Sequence, residues 1–184
     1  MTQQTQQKEK ILVHACCAVC MAYPIKFLEE QFSPIVYFYN PNIYPLSEYE
    51  RRKTELIKYC EKQNYEYIID DYDTTNWYKY IKGLENEPEK GARCNKCFEF
   101  RLLKTAQKAK ELNIKNITTT LSVSPHKISK NIFEIGKNVV ANYDLNFLEY
   151  DFKKQNGFIK TMQLAKENEF YRQNYCGCEY SIRN

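Results

Sequence analysis

Short β-branched runs alternate with helix-period segments along almost the whole chain, and no other feature of the sequence restricts its fold as much. An apolar, branched run predicts a buried strand over 11–15, and Ile25, Leu28 and Phe32 share one face of a helix expected over 21–32. A second strand is expected over 35–39, ended by Asn40-Pro41-Asn42. Ser47 and Glu50 stand at capping-box spacing, and the helix they would open carries Tyr49, Leu56, Ile57 and Cys60 on its apolar side. A third strand over 67–69 leads into the acidic Asp70-Asp71-Tyr72-Asp73, then a short helix over 74–84. Phe98, Leu102, Ala106 and Ala109 mark the next helix, and 116–120 the fourth strand. Ile128, Ile132, Ile135 and Val139 define another helix face, followed by a strand over 146–150 and a helix over 158–168. Strands and helices in this alternation build an α/β fold, a parallel sheet with helices on both faces. Ligands of such sheets collect beyond the carboxyl ends of the strands, and the first strand here runs straight into three cysteines.

The length of 184 residues suits one domain, expected over 9–184 behind a polar tail over 1–8 expected to be disordered. There are 27 basic and 23 acidic residues, a net charge of +4 that permits nucleic-acid binding without demanding it. No apolar run approaches the ~18 residues of a membrane span. The opening MTQQTQQKEK is polar, and the apolar run over 11–13 is too short for a signal peptide, so a cytoplasmic protein with no membrane partner is expected. In a reducing compartment, eight cysteines point to metal binding or redox chemistry rather than to a disulfide framework.

The cysteines fall into groups. Cys16, Cys17 and Cys20 form C-C-x-x-C at a strand-to-helix turn, where adjacent thiols can face one way and a helix N-terminus favours thiolate. Cys94 and Cys97 form C-x-x-C before a helix, a spacing that suits zinc, an iron–sulfur cluster or a thioredoxin-like pair. Arg93, Lys96 and Arg101 would offset thiolate charge there. Cys176-Gly177-Cys178 can hold a strained, easily reduced disulfide or donate metal ligands. Cys60 reads as a core residue. Seven cysteines in three groups exceed one tetrahedral zinc site, whereas a cluster with a second metal or a dithiol uses them all. There is no G-x-G-x-x-G and no phosphate-binding G-x-x-x-x-G-K-[ST]. His14 reads as a packed core histidine, while His126, after Ser124-Pro125 near a strand end, is a candidate for the site.

The stretches HACCAVC, YNPNIYPLSEYERR, GARCNKCFEFRL, TTTLSVSPHK, YDFKKQNGF and YRQNYCGCEYS resemble the cobalamin-independent epoxyqueuosine reductases, from about residue 11 to residue 181. The resemblance implies reduction of epoxyqueuosine to queuosine at the wobble position of certain tRNAs. It also implies a Rossmann-like fold similar to the adenine-nucleotide α-hydrolase-like (PP-loop) group. Where that group carries a phosphate loop after strand one, this chain reads H-A-C-C-A-V-C, so ATP is not expected. By resemblance, Cys16, Cys17, Cys94 and Cys97 are the ligands of a [4Fe-4S] cluster, and Cys176 and Cys178 a redox-active pair. Cys20 stands where some relatives have Asp and others Cys, and is implied to hold a second mononuclear metal, expected as iron.

Turning an epoxide into an alkene needs two electrons and two protons and releases water. His126, Asp151 and a nearby Tyr are candidate proton donors. The partners implied are a tRNA anticodon loop and an electron donor that the sequence does not identify. Tyr39, Tyr44, Tyr49, Tyr171 and Tyr175 are expected to stack on loop bases, and Arg51, Arg52, Lys53, Lys153, Lys154 and Arg172 to meet phosphates. Two readings compete: a zinc-stabilised RNA-binding module, which would be colourless, and a general dithiol oxidoreductase, which would reduce protein disulfides.

Overall fold

A computed structural model describes residues 8–182. The tail expected to be disordered therefore lies outside the described residues, apart from Lys8. Five strands form one parallel sheet: β1 (Lys10–His14), β2 (Ser33–Phe38), β3 (Glu66–Ile69), β4 (Asn116–Thr119) and β5 (Asn146–Phe147), in the order β3-β2-β1-β4-β5. Six helices connect them: α1 (Ala18–Leu28), α2 (Leu46–Gln63), α3 (Thr74–Tyr80), α4 (Ala92–Glu111), α5 (Ser129–Val140) and α6 (Gly157–Glu167). Among the described residues no helix is long and apolar enough to cross a membrane.

Central β1 is buried on both faces, which is why it reads as a continuous apolar run rather than an alternating one. Its side chains still alternate. Ile11 and Val13 join Val36 and Phe38 under α1 and α2, while Leu12 joins Ile35, Tyr37 and Ile117 under α4 and α5. The expected helices on both faces are present. Cys60 packs with Leu56 and Tyr59 in the first of these cores, as its helical phase predicts.

Several ends differ from the sequence expectation. Helix α2 begins at Leu46 behind Pro45, so Ser47 lies inside the helix and makes no cap. Helix α1 begins at Ala18 and ends at Leu28, because the Cys17 sulfur accepts the Cys20 N–H as a cap and Glu29 closes the last turn. Strand β5 spans only Asn146 and Phe147, with a last ladder bond from the Leu148 N–H to the Ile117 carbonyl, and residues 149–150 lie beyond it.

The strand order reverses between β1 and β4, which makes their carboxyl ends the crevice of the fold. His14 ties these ends together. Its Nδ1 lies 2.9 Å from Thr119 Oγ1 and its Nε2 3.3 Å from the Tyr39 carbonyl. Burial, reinforced by the Arg101 charge, lowers its pKa to about 3, so it is the neutral core histidine the sequence suggests.

Candidate metal and redox centre

Three segments converge at that crevice. Cys16 and Cys17 follow β1 directly, and Cys20 lies in the first turn of α1. The three sulfurs lie within 4.8 Å of one another, with Cys16 Sγ 3.9 Å from Cys17 Sγ. Two thiolates on one tetrahedral ion with ~2.3 Å bonds stand about 3.8 Å apart, so this pair needs little movement to share a metal. Cys94 and Cys97 occupy the first two turns of α4. Cys176 and Cys178 come from the segment after α6, which lies across the crevice with little regular structure of its own. A cleft of about 260 Å³ is lined by Cys16, Cys20 and Cys176 together with His126, Lys127 and Tyr175. A small adjoining hollow is lined by Cys94, Cys176, His126 and Lys127. Cys17, Cys97 and Cys178 are buried beneath these walls.

The sulfurs are held by donors. Cys17 Sγ accepts from the Cys20 N–H at 3.4 Å and from Gln173 Nε2 at 3.3 Å, and Cys94 Sγ accepts from the Lys90 N–H at 3.3 Å. The Cys16–Cys17–Cys20 triad titrates as a unit. Cys17 and Cys20 share hydrogen bonds with Cys16, which holds Cys16 well below the usual thiol range. That charge pushes the Cys17 thiol up to about 12 and Cys20 well above its ordinary value. Burial pushes Cys97 up to about 11 and also raises Cys94.

Positive charge surrounds the thiols. Burial alone would lower the half-buried Lys127, but the neighbouring Cys176, Cys16 and Cys20 sulfurs raise it above the ordinary lysine value. Arg101, buried in α4, donates Nε to the Cys97 carbonyl at 3.2 Å and Nη1 to Asn40 Oδ1 at 3.3 Å. Arg52, buried in α2, donates Nε to Glu48 Oε1 at 2.7 Å and Nη1 to the Cys176 carbonyl at 3.1 Å. The Nη2 atoms of Arg52 and Arg101 are buried and have no hydrogen-bond partner. A buried donor left unpaired costs roughly 1–3 kcal/mol, and more when charged. An anionic thiolate-bound metal group in the crevice would offset that cost. Among the described residues the thiols gathered at metal-sharing distance are Cys16, Cys17 and Cys20, and N–H donors to sulfur and buried guanidiniums suit an anionic group there, while Cys94 lines the adjoining hollow and Cys97 is buried in the next turn of α4.

The other candidate residues separate clearly. His126 is exposed and lines every cavity that touches the cysteines. Asp151 lies elsewhere: it accepts from Ser129 Oγ at 3.0 Å, pairs with Lys153 at 3.6 Å, and lines a cavity with Tyr23, Phe27 and Tyr150. Among the charges expected beside Cys94 and Cys97, Lys96 turns out to Glu99, and Arg93 clamps the carbonyls of Glu85 and Glu87. Tyr39 and Tyr49 are core residues rather than surface stackers, because their rings pack on Phe100 and Phe38. Arg52 is internal, and Lys153 Nζ is spent on Ser129 Oγ and the Lys127 carbonyl. Arg51, stacked 3.4 Å over the Tyr171 ring, Arg172, Lys154 and Tyr44 remain accessible. The sequence reading missed Lys127; its place directly after His126 in the Ser124-Pro125 turn was the available signal.

Comparison with known proteins gives the family. Residues 11–184 match the family model described as epoxyqueuosine reductase QueH. The QueH of Acinetobacter baylyi is 40% identical over 178 residues, covering 96% of this chain and 82% of that protein. The QueH of Streptococcus pyogenes is 38% identical, covering 96% and 71%, and that of Thermotoga maritima 35%, covering 94% and 90%. Among solved structures, the tRNA thiolase NcsA from Methanococcus maripaludis, determined with its [4Fe-4S] cluster, superposes with a TM-score of 0.59 at 14% identity, covering 97% of this chain and 63% of that one. A "predicted subunit of tRNA methyltransferase" from Methanocaldococcus jannaschii also gives 0.59, at 12% identity over 86% and 75%. These two share the fold, a Rossmann-like parallel sheet with helices on both faces. From residue 11 onward the chain belongs to the epoxyqueuosine reductase QueH family.

Proposed function

We propose that this chain reduces the epoxide of epoxyqueuosine in a tRNA anticodon loop to the alkene of queuosine. The observation that carries the reading is the close triad of Cys16, Cys17 and Cys20 at the β1/β4 crevice, whose cleft and adjoining hollow also take Cys176 and Cys94 into their walls. Cys16, Cys17, Cys94 and Cys97 would hold a [4Fe-4S] cluster, and Cys20, beside Cys16 and Cys17, a second mononuclear iron. Bound there, the cluster supplies electrons one at a time and the second iron a Lewis acid for the epoxide oxygen.

The chain's own residues complete the balance. Oxidation of the Cys176/Cys178 dithiol to a disulfide releases two electrons and two protons. Epoxide plus dithiol thus becomes alkene, water and disulfide, and an external reductant resets the pair. Lys127 Nζ and the His126 ring border the cleft and can move those protons to the departing oxygen. The Arg52 contact to the Cys176 carbonyl keeps Cys176 at the cleft, with Cys178 buried behind it. The exposed Arg51, Arg172 and Lys154 form a modest phosphate-binding rim.

Metal and sulfide analysis of protein purified without oxygen, followed by turnover on epoxyqueuosine-containing tRNA, tests the reading. Expected are broad absorption near ~400 nm, about four sulfides and at least four irons per chain, and conversion to queuosine. A colourless zinc protein that fails to take up iron and sulfide would move the assignment to the zinc-stabilised RNA-binding module. Reduction of insulin disulfides by variants lacking Cys16 and Cys17 would move it to the dithiol oxidoreductase.

A further inference from the structure

A second chamber opens off the thiol-lined cleft, and its chemistry is different. It holds about 170 Å³ and shares Cys20, Ser124, His126 and Gln173 with the cleft. One side of it is largely apolar, formed by Val19 from α1, Val123 after β4, and Phe158 and Met162 from successive turns of α6, while Thr161 and Arg172 add polar groups to those it shares with the cleft. Phe158 is the unusual member. It is half-buried, yet among the described residues it belongs to neither apolar core and makes no ring contact with another aromatic. Its position is built with care. Gln155 and Asn156 both adopt left-handed backbone, φ 51° and 63°, and at Gly157 a Cβ would lie 1.9 Å from the Phe152 carbonyl oxygen. This tight turn presents Phe158 from the first turn of α6 to the chamber beside Cys20.

We propose that the chamber seats the target base. A purine-like base turned out of the anticodon loop stacks on the Phe158 ring, and its epoxide-bearing arm passes Cys20 into the thiol-lined cleft. The inference rests on the tRNA reading above and adds the site that selects the base. Unstacked loop bases are commonly held on aromatic side chains, and a flat apolar wall with a polar rim suits one. The two largest of the other cavities have no cysteine wall, so a base held in either would have no thiol beside it.

The test compares two anticodon stem–loops, one carrying queuosine at the wobble position and one abasic there. Each is titrated by fluorescence anisotropy against the protein purified without oxygen. The wild-type protein should prefer the queuosine stem–loop by at least tenfold. Phe158→Ala and Phe158→Leu should lose most of that preference, since a base–aromatic stack removed by substitution weakens binding about 5- to 150-fold. Phe158→Trp should keep it, and Ile159→Ala, at an exposed neighbouring position, should leave it unchanged. Phe158→Leu preserves apolar volume, so it decides the matter if the alanine variant is unstable. Full preference in a Phe158→Leu protein that melts like wild type would overturn the assignment. A wild-type protein that binds both stem–loops equally would instead overturn the tRNA reading, and the base seat with it.

Discussion

The Arg52 guanidinium, buried in α2, donates to the main-chain carbonyl of Cys176, 124 residues further along the chain. Gly177 follows at φ 135°, with a Cβ position only 3.1 Å from the same guanidinium. The loop bearing the candidate redox pair is thus held by the Arg52 cation and the Gly177 backbone, together with the bond from the Tyr44 N–H to the Gly177 carbonyl at 2.8 Å. Arg52→Met removes that anchor and leaves Glu48 buried without its partner. It should cost about 3 kcal/mol of stability, in line with breaking a buried pair from one side. Urea unfolding measures that loss, and alkylation of Cys176 should become faster. A stable variant with unchanged alkylation would mean that Arg52 does not hold the loop.

Gly177→Ala should separate loop geometry from global stability. A β-carbon at φ 135° is strained and meets Arg52. Turnover should fall by at least tenfold while iron content stays at the wild-type level, as read by parallel metal analysis and tRNA assay.

The cysteines should sort by role. Cys16→Ser, Cys17→Ser, Cys94→Ser and Cys97→Ser should each lose most bound iron. Cys176→Ser and Cys178→Ser should keep it and lose turnover. Cys60→Ala should keep both and lose only about 1 kcal/mol, because that thiol packs in the core under α2. Iron loss from the Cys60 variant would show that the crevice is not the metal site.

Much of the fold was legible beforehand, and particular residues show where legibility stops. Four strands and the helix phases follow from apolar periodicity, which is local. The cysteine spacings and the family motifs pointed to the crevice, since a parallel sheet sets its ligands at strand ends. Tyr39, Tyr49, Arg52 and Lys153 were misplaced on the surface because nothing local distinguishes a Tyr or Arg turned inward from one turned outward. Arg52 goes inside only because Glu48 and the Cys176 carbonyl, from two different segments, are there to receive it. Ser47 and Glu50 have the right spacing for a cap, but Pro45 already sets the start of α2. Phe158 is the last letter of the stretch YDFKKQNGF, and its place on the chamber wall depends on α6 standing beside α1.

Acid should destabilise the fold through His14. Its folded pKa is about 3 against 6.5 when free, so the unfolded chain binds the extra proton across that interval. The stabilisation is complete above pH ~6.5 and is lost as the pH falls toward ~3, by roughly 3 kcal/mol over the first two units. Thermal melts of wild type and His14→Gln from pH 7 to 4.5 should converge as the pH drops. Parallel melting curves would show that His14 does not carry this dependence.

Binding of tRNA should weaken with salt. If Arg51, Arg172 and Lys154 each meet one phosphate, raising salt from 50 to 200 mM should reduce affinity roughly 20-fold. An affinity independent of salt would count against this rim.

The three thiol segments are also separated in time. During synthesis Cys16, Cys17 and Cys20 leave the ribosome first, but their strand β1 gains its partner β4 only after residue 119 has emerged. Cys176 and Cys178 follow almost 60 residues later. Until then the early thiols are unshielded, and any metal that reaches them meets an incomplete set of ligands. A metal centre drawing on all three segments would therefore be completed only after the last cysteines have folded back onto the sheet, and the interval before that is when the early thiols are most open to oxygen or a stray thiophilic metal.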